Sequence, residues 1–195
     1  MAQPRAACSR AFRPPRAGGM ALLLLLAGCS DRGRNPPPDD PPAPPAAISP
    51  DELRAAEYPA DLLDRARVRL RDGAFAPADS GREAMESMAL HPTVGIAEPR
   101  DGVARAAAVT LESGGGTGMF YWLHLLERTT GPPRVVASAY LGDRIDLVSL
   151  GFAGDTLVTR LVIQGPTDAA CCPTLEVVRR YLRAGEDLVE VKGGK

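Results

Sequence analysis

Residues 48–195 predict a mainly β domain of α+β type, an antiparallel meander sheet with one short N-terminal helix. Three observations carry this. β-leaning runs recur at short spacing, glycine, proline or aspartate separates them, and one of them, Met119 to Leu126, is apolar on both alternating faces. The helix is expected first. Ser49-Pro50-Asp51-Glu52 combines a capping serine, a proline at the first helical position and an acid three residues after the cap. Leu53, Ala56 and Tyr58 share an apolar side, and Pro59 should end the helix near Tyr58. Arg67 to Arg71 alternates, Asp72-Gly73 is a two-residue turn, and Ala74-Phe75-Ala76 resumes, so a first hairpin is expected there. Ser87–Ala97, Ala104–Glu112, Met119–Arg128, Val135–Leu141, Ile145–Phe152 and Thr156–Ile163 follow as strands. Leu175–Leu182 fits a helical stripe as well as a strand face. Strand is favoured, with a turn over Ala184–Asp187 into Leu188–Val191.

The chain before residue 48 reads differently. Arg5, Arg10, Arg13 and Arg16 precede a short leucine run, Leu22 to Leu26, with no acidic residue among them, which is the pattern of an export signal. The run is too short to span a bilayer, which takes about 20 residues. Leu26-Ala27-Gly28-Cys29 resembles the lipobox of bacterial lipoproteins, which implies cleavage after residue 28 and a diacylglyceryl group on Cys29. An ordinary cleaved signal is the alternative. Residues 30–47 (SDRGRNPPPDDPPAPPAA) are too proline-dense for helix or sheet and form a semi-rigid tether. At roughly 3.1 Å per residue it holds a domain tens of ångströms from its anchor. Docking of the prolines to a proline-reading groove is the sharper alternative.

The expected organisation is therefore a signal peptide over 1–28, a lipidated cysteine and linker over 29–47, and one β-rich domain over 48–195. The formal net charge is −1, and loss of four leader arginines makes the mature chain more acidic, which argues against a nucleic-acid partner. Ser30 after the lipidated cysteine resembles the pattern of lipoproteins sent to the outer membrane, where the bacterium has two. The expected partners are the membrane, through the lipid on Cys29, and an unidentified envelope protein. No cofactor or metal is expected.

Of four cysteines, Cys8 leaves with the leader and Cys29 carries lipid, so Cys171 and Cys172 alone remain in the domain. Adjacent cysteines bond to each other only by straining the intervening peptide. They read either as small apolar groups in a turn, as a redox pair, or as two soft metal ligands short of the four that structural zinc takes. His91 and His124 are distant from them in sequence. His124 shares a strand face with Phe120, Trp122 and Leu126 and reads as a satisfied, half-buried histidine; a small hydrolase would need a serine and a carboxylate converging on it. Gly114-Gly115-Gly116-Thr117-Gly118 lacks the lysine and helix of a phosphate loop and reads as a hairpin connection. Asp143, beside Arg144, reads as a turn stabiliser, with a recognition patch as the alternative.

Five segments resemble one uncharacterised family of exported bacterial proteins, many of them lipoproteins: residues 53–59 (LRAAEYP), 68–75 (VRLRDGAF), 114–120 (GGGTGMF), 141–144 (LGDR) and 165–174 (GPTDAACCPT). The resemblance implies a small β-rich envelope domain and brings no activity. Family members carry an acidic, calcium-like loop where this chain has residues 97–107 (AEPRDGVARAA). Only Glu98 and Asp101 remain as carboxylates, and Arg100 and Arg105 add positive charge. Calcium takes six to eight oxygens, so a plain turn is expected. The function expected overall is a non-catalytic binding or structural module of the cell envelope, with a redox-responsive protein and a small hydrolase as alternatives.

Overall fold

The computed structural model describes residues 44–63, 65–77, 86–169 and 171–192. The leader, Cys29 and the first part of the linker lie outside them. The domain is mainly β, as expected. Helix α1 spans Pro50–Arg54, and twelve strands follow: β1 Glu57–Pro59, β2 Arg67–Arg69, β3 Ala74–Phe75, β4 Glu86–Leu90, β5 Gly95–Ile96, β6 Ala104–Gly114, β7 Phe120–Arg128, β8 Arg134–Asp143, β9 Asp146–Ala153, β10 Thr156–Ile163, β11 Leu175–Ala184 and β12 Asp187–Glu190. Among the described residues no helix is long and apolar enough to cross a membrane.

α1 begins where its cap requires. Ser49 Oγ accepts from Glu52 N (3.3 Å) while the Glu52 carboxylate accepts from Ser49 N (2.9 Å), a reciprocal capping box. It ends earlier than expected, at Arg54. Tyr58, held extended by the proline that follows it, belongs to β1, which pairs with β2 through Tyr58 and Val68. The expected hairpin is corrected in the same region. Asp72 (φ 53°) and Gly73 (φ 82°) do form the tight turn, and Arg71 and Ala74 exchange backbone hydrogen bonds across it. The strands on either side then part: β2 joins β1 in a two-stranded sheet, and β3 joins β4 in the main sheet. The run over Ser87–Ala97 is also two strands, β4 and β5, both on β6.

The main sheet has ten strands in the order β3-β4-β6-β7-β8-β12-β11-β10-β9, with β5 added beside β6. All pairings are antiparallel except that of β8 with β12, so two meanders meet at one short parallel contact instead of forming the single meander expected. The sheet folds over on itself. Only residues 144 and 145 connect β8 to β9 although the two strands are not neighbours, and Gly95 of β5 lies so close to Gly151 of β9 that a Cβ on Gly95 would sit 3.2 Å from the Gly151 Cα. Glycine at position 95 lets the two backbones approach, whereas a Cβ on Gly151 would meet nothing within 4 Å.

Two cores result, one on each face of β6 and β7. Ala107, Val109, Leu123 and Leu125 point into the fold of the sheet against Leu147, Leu150, Leu157, Leu161 and Tyr181. Ala104, Ala106, Ala108 and Leu126 point the other way, under a layer made by Ile48, Leu53, Tyr58, Leu63, Val68 and Leu70. Alanines on that face of β6 let the N-terminal layer lie close against the strand. The expectation that β7 is a central strand covered on both sides holds, with Leu123 and Leu126 fully buried on opposite faces. Each such leucine contributes roughly 1.5–3 kcal/mol by its burial.

Candidate functional site

In a chain that runs up one strand and down the next, alternate connections fall at the same end. β6, β8 and β10 finish where β7, β9 and β11 begin, so residues 115–119, 144–145, 164–169 and 171–174 all lie at one end of the sheet. Three of the five segments singled out in the sequence meet there. Asp143 Oδ1 accepts from Met119 N (2.8 Å), and Arg144 N donates to Met119 O (2.9 Å), which stitches the glycine connection to the corner after β8 on both sides of Met119. Arg144 closes the corner with its Nε on Asp143 Oδ2 at 2.9 Å. Gly142 (φ 142°) makes the bend, since a Cβ there would meet Ile145 Cγ2 at 3.0 Å. Arg144 itself takes a left-handed φ of 49°.

The segment between β10 and β11 has its own clamp. Asp168 Oδ2 accepts from Gly165 N (2.8 Å) and Thr174 N (2.7 Å), and its Oδ1 accepts from Thr174 Oγ1 (2.8 Å). One carboxylate thus ties both ends of the loop. Inside it, Cys172 N donates to Ala169 O (2.9 Å) and Gln164 Nε2 to the same oxygen (2.6 Å). Cys171 and Cys172 are joined by a disulfide, and both residues are exposed. The hydrogen bonds from Gly165 N and Thr174 hold the Asp168 carboxyl below its ordinary pKa. At Asp143 partial desolvation opposes the shift, and the bonds from Arg144 and Met119 N overcome it in the same direction. Asp143, Arg144, Gln164 and Asp168 line one open cleft of about 390 Å³, which brings the two loops to a common surface.

A second polar cluster is buried beneath the N-terminal layer. His124 is 1% exposed. Its Nε2 lies 2.8 Å from Thr110 Oγ1, its Nδ1 lies 2.8 Å from Ser138 Oγ, and its ring lies 5.2 Å from that of Tyr58, tilted by 54°. Burial, with the Arg67 charge assisting, pushes its pKa down to about 3, so the ring is neutral. Glu112, two residues along from Thr110 on the same face, accepts from Leu62 N (3.1 Å), and burial raises its pKa to about 7. His124 is therefore the satisfied histidine expected from its strand face, more deeply buried than anticipated. Hydroxyls occupy both ring nitrogens, which leaves neither a lone pair nor a proton for a substrate.

His91 sits elsewhere, its Nδ1 accepting from Thr93 N (3.1 Å) beside a cleft of about 270 Å³ that includes Arg54 and Asp72. The calcium-like stretch is a two-residue turn: Arg100 and Val103 exchange backbone bonds across Asp101 and Gly102, and Arg105 pairs with Glu127 at 3.0 Å. Among the described residues no three His, Cys, Asp or Glu side chains form a group that could hold a metal ion.

A cleft of about 580 Å³ lies at the opposite end of the sheet. Arg67 pairs with Glu57 (3.1 Å), and Arg69 donates to Ala55 O (3.1 Å). Here the linker enters the domain. Arg128, the last residue of β7, pairs with Glu52 and donates to Ala46 O (2.6 Å) and Ala47 O (3.0 Å). No family model, curated protein or solved structure matches the chain.

Thr110, Ser138, Glu112 and Asp168 were not singled out by the sequence. The first two become visible once β6, β7 and β8 are aligned, because Ser138 is a cross-strand partner of His124 and Thr110 lies two residues along the same face from the other partner, Ala108. Asp168 has no such signal, since its role depends on where the loop closes.

Proposed function

We propose that this chain is a lipoprotein of the bacterial cell envelope, anchored by the lipid on Cys29, whose β domain serves as a non-catalytic binding or structural module. In a bacterium with two membranes it faces the periplasm from the outer membrane. One observation carries the reading. The linker enters at the end marked by Arg128, while the connections over 115–119, 144–145, 164–169 and 171–174 gather at the other, with Gly116, Thr117, Arg144, Pro166, Thr167 and both cysteines exposed. The loop end lies away from the linker's entry, and it is the surface we assign to an envelope partner. The resemblance of these same loops to segments of an uncharacterised exported family supports assigning function to that end.

The test uses the full chain in living cells with a photoreactive residue at Thr167, in the cysteine loop, or at Arg134, beside the linker entry; both positions are exposed. The reading predicts a discrete crosslinked product from residue 167, none from 134, and loss of both membrane association and crosslinking in Cys29→Ser. A product from 134 alone, or a Cys29→Ser chain that stays in the membrane fraction, contradicts it.

A further inference from the structure

The Cys171–Cys172 bond is not a structural staple. A disulfide stabilises a fold chiefly by closing a loop of the unfolded chain, and a bond between neighbours closes essentially none. Their Cα atoms are 3.8 Å apart, below the roughly 4.4–6.8 Å that disulfides ordinarily span. The loop does not need the bond either, because Asp168 ties Gly165 to Thr174 without it and Ala169 O anchors Cys172 N and Gln164. Both cysteines are exposed, so an incoming thiolate meets no packed layer above them.

We propose that Cys171 and Cys172 form a thiol–disulfide exchange site that accepts two electrons from a dithiol on another envelope protein. One donor thiolate attacks one of the two sulfurs, forming an intermolecular S–S bond as the Cys171–Cys172 bond breaks. The released sulfur leaves as a thiolate and takes a proton. The donor's second thiol then gives up its proton and attacks the intermolecular bond, freeing the remaining cysteine as a thiolate, which is protonated in turn. The donor ends as a disulfide, and Cys171 and Cys172 end as two thiols. Strain in a bond between neighbours favours this direction, and the Asp168 clamp keeps the loop in place in both states. This inference is independent of the binding reading, since it needs no particular partner surface.

The test uses the intact lipoprotein in detergent, reduced under native conditions with dithiothreitol, alkylated with N-ethylmaleimide and weighed. The expected result is a gain of two adducts, assigned to Cys171 and Cys172, with no shift in the thermal unfolding midpoint. Oxidised glutathione should restore the bond, and Cys172→Ser should retain one glutathione on Cys171 as the trapped intermediate. Adducts that form only after denaturation, a midpoint that falls on reduction, or two free thiols that oxidised glutathione leaves unpaired would each overturn the proposal.

Discussion

The domain holds two polar clusters that use similar residue types to opposite ends. Beneath the N-terminal layer, Thr110, Glu112 and His124 are shut away from water with Ser138 half-buried beside them, and burial moves the titrations of Glu112 and His124 toward the neutral forms. At the loop end, Asp143 and Asp168 bond to backbone N–H groups near water, and hydrogen bonding moves theirs toward the charged form. Desolvation wins in the first place and donor geometry in the second. The buried cluster locks the N-terminal layer onto the sheet. The open one ties down loops that stay accessible. Electrostatic perturbation alone therefore does not locate function in this fold.

Substitutions at the buried cluster should have the largest effects. Tyr58 has no exposed surface, its hydroxyl donates to Leu53 O (3.0 Å), and its ring packs on His124. Tyr58→Ala should cost about 3–5 kcal/mol, read as a lowered urea midpoint; a loss below about 1 kcal/mol would mean that the layer is not locked there. His124→Ala leaves the buried Thr110 hydroxyl and the half-buried Ser138 hydroxyl without their partner and should cost about 2–3 kcal/mol by the same measurement. If Thr110→Val and His124→Ala proved fully additive, the two groups would not be coupled.

The pH dependence of stability sharpens the contrast further. Glu112, at about 7 against an ordinary 4.5, keeps its proton in the folded chain after the unfolded chain has lost it. Its contribution is full below pH 4.5 and is lost as pH rises through 7. His124, at about 3 against 6.5, refuses a proton that the unfolded chain accepts, so its contribution is full above pH 6.5 and is lost as pH falls through 3. The two slopes oppose each other between 4.5 and 6.5. Glu112→Gln keeps an acceptor for Leu62 N and removes one slope. Relative to the parent, it should gain about 2 kcal/mol between pH 4.5 and 7, and parallel curves would contradict the assignment. Asp168→Ala should have the smallest global effect, with the urea midpoint unchanged. Limited proteolysis should then cut between residues 164 and 174 where the parent resists.

Much of this was readable from the residues. Alternation and turn spacing place nearly every strand of the main sheet, because each half-buried strand prints its period on the sequence. The Asp72-Gly73 turn was legible too, but not the departure of β2 from β3. A three-residue strand that buries only Val68 carries no record of its partner. The end of α1 was misplaced because Pro59 acts one residue back, on Tyr58, and β1 had already begun at Glu57. At the loop end, the parity of the connections was legible in principle. The corner at residues 144–145 hid it, since two residues between strands that do not pair make sense only once the sheet has folded over. The adjacency of Cys171 and Cys172 needed no structure, whereas the clamp that frees them from a structural role did.

Hydrogen exchange read by mass spectrometry on the full chain tests the division between the two clusters most directly. The division predicts that amides over 106–112 and 122–126 exchange only through global unfolding, slowing in step with stability. Those over 164–174 should exchange through local opening, at a rate independent of it. A cysteine loop that exchanges together with β6 and β7, or a buried cluster that opens on its own, would contradict it.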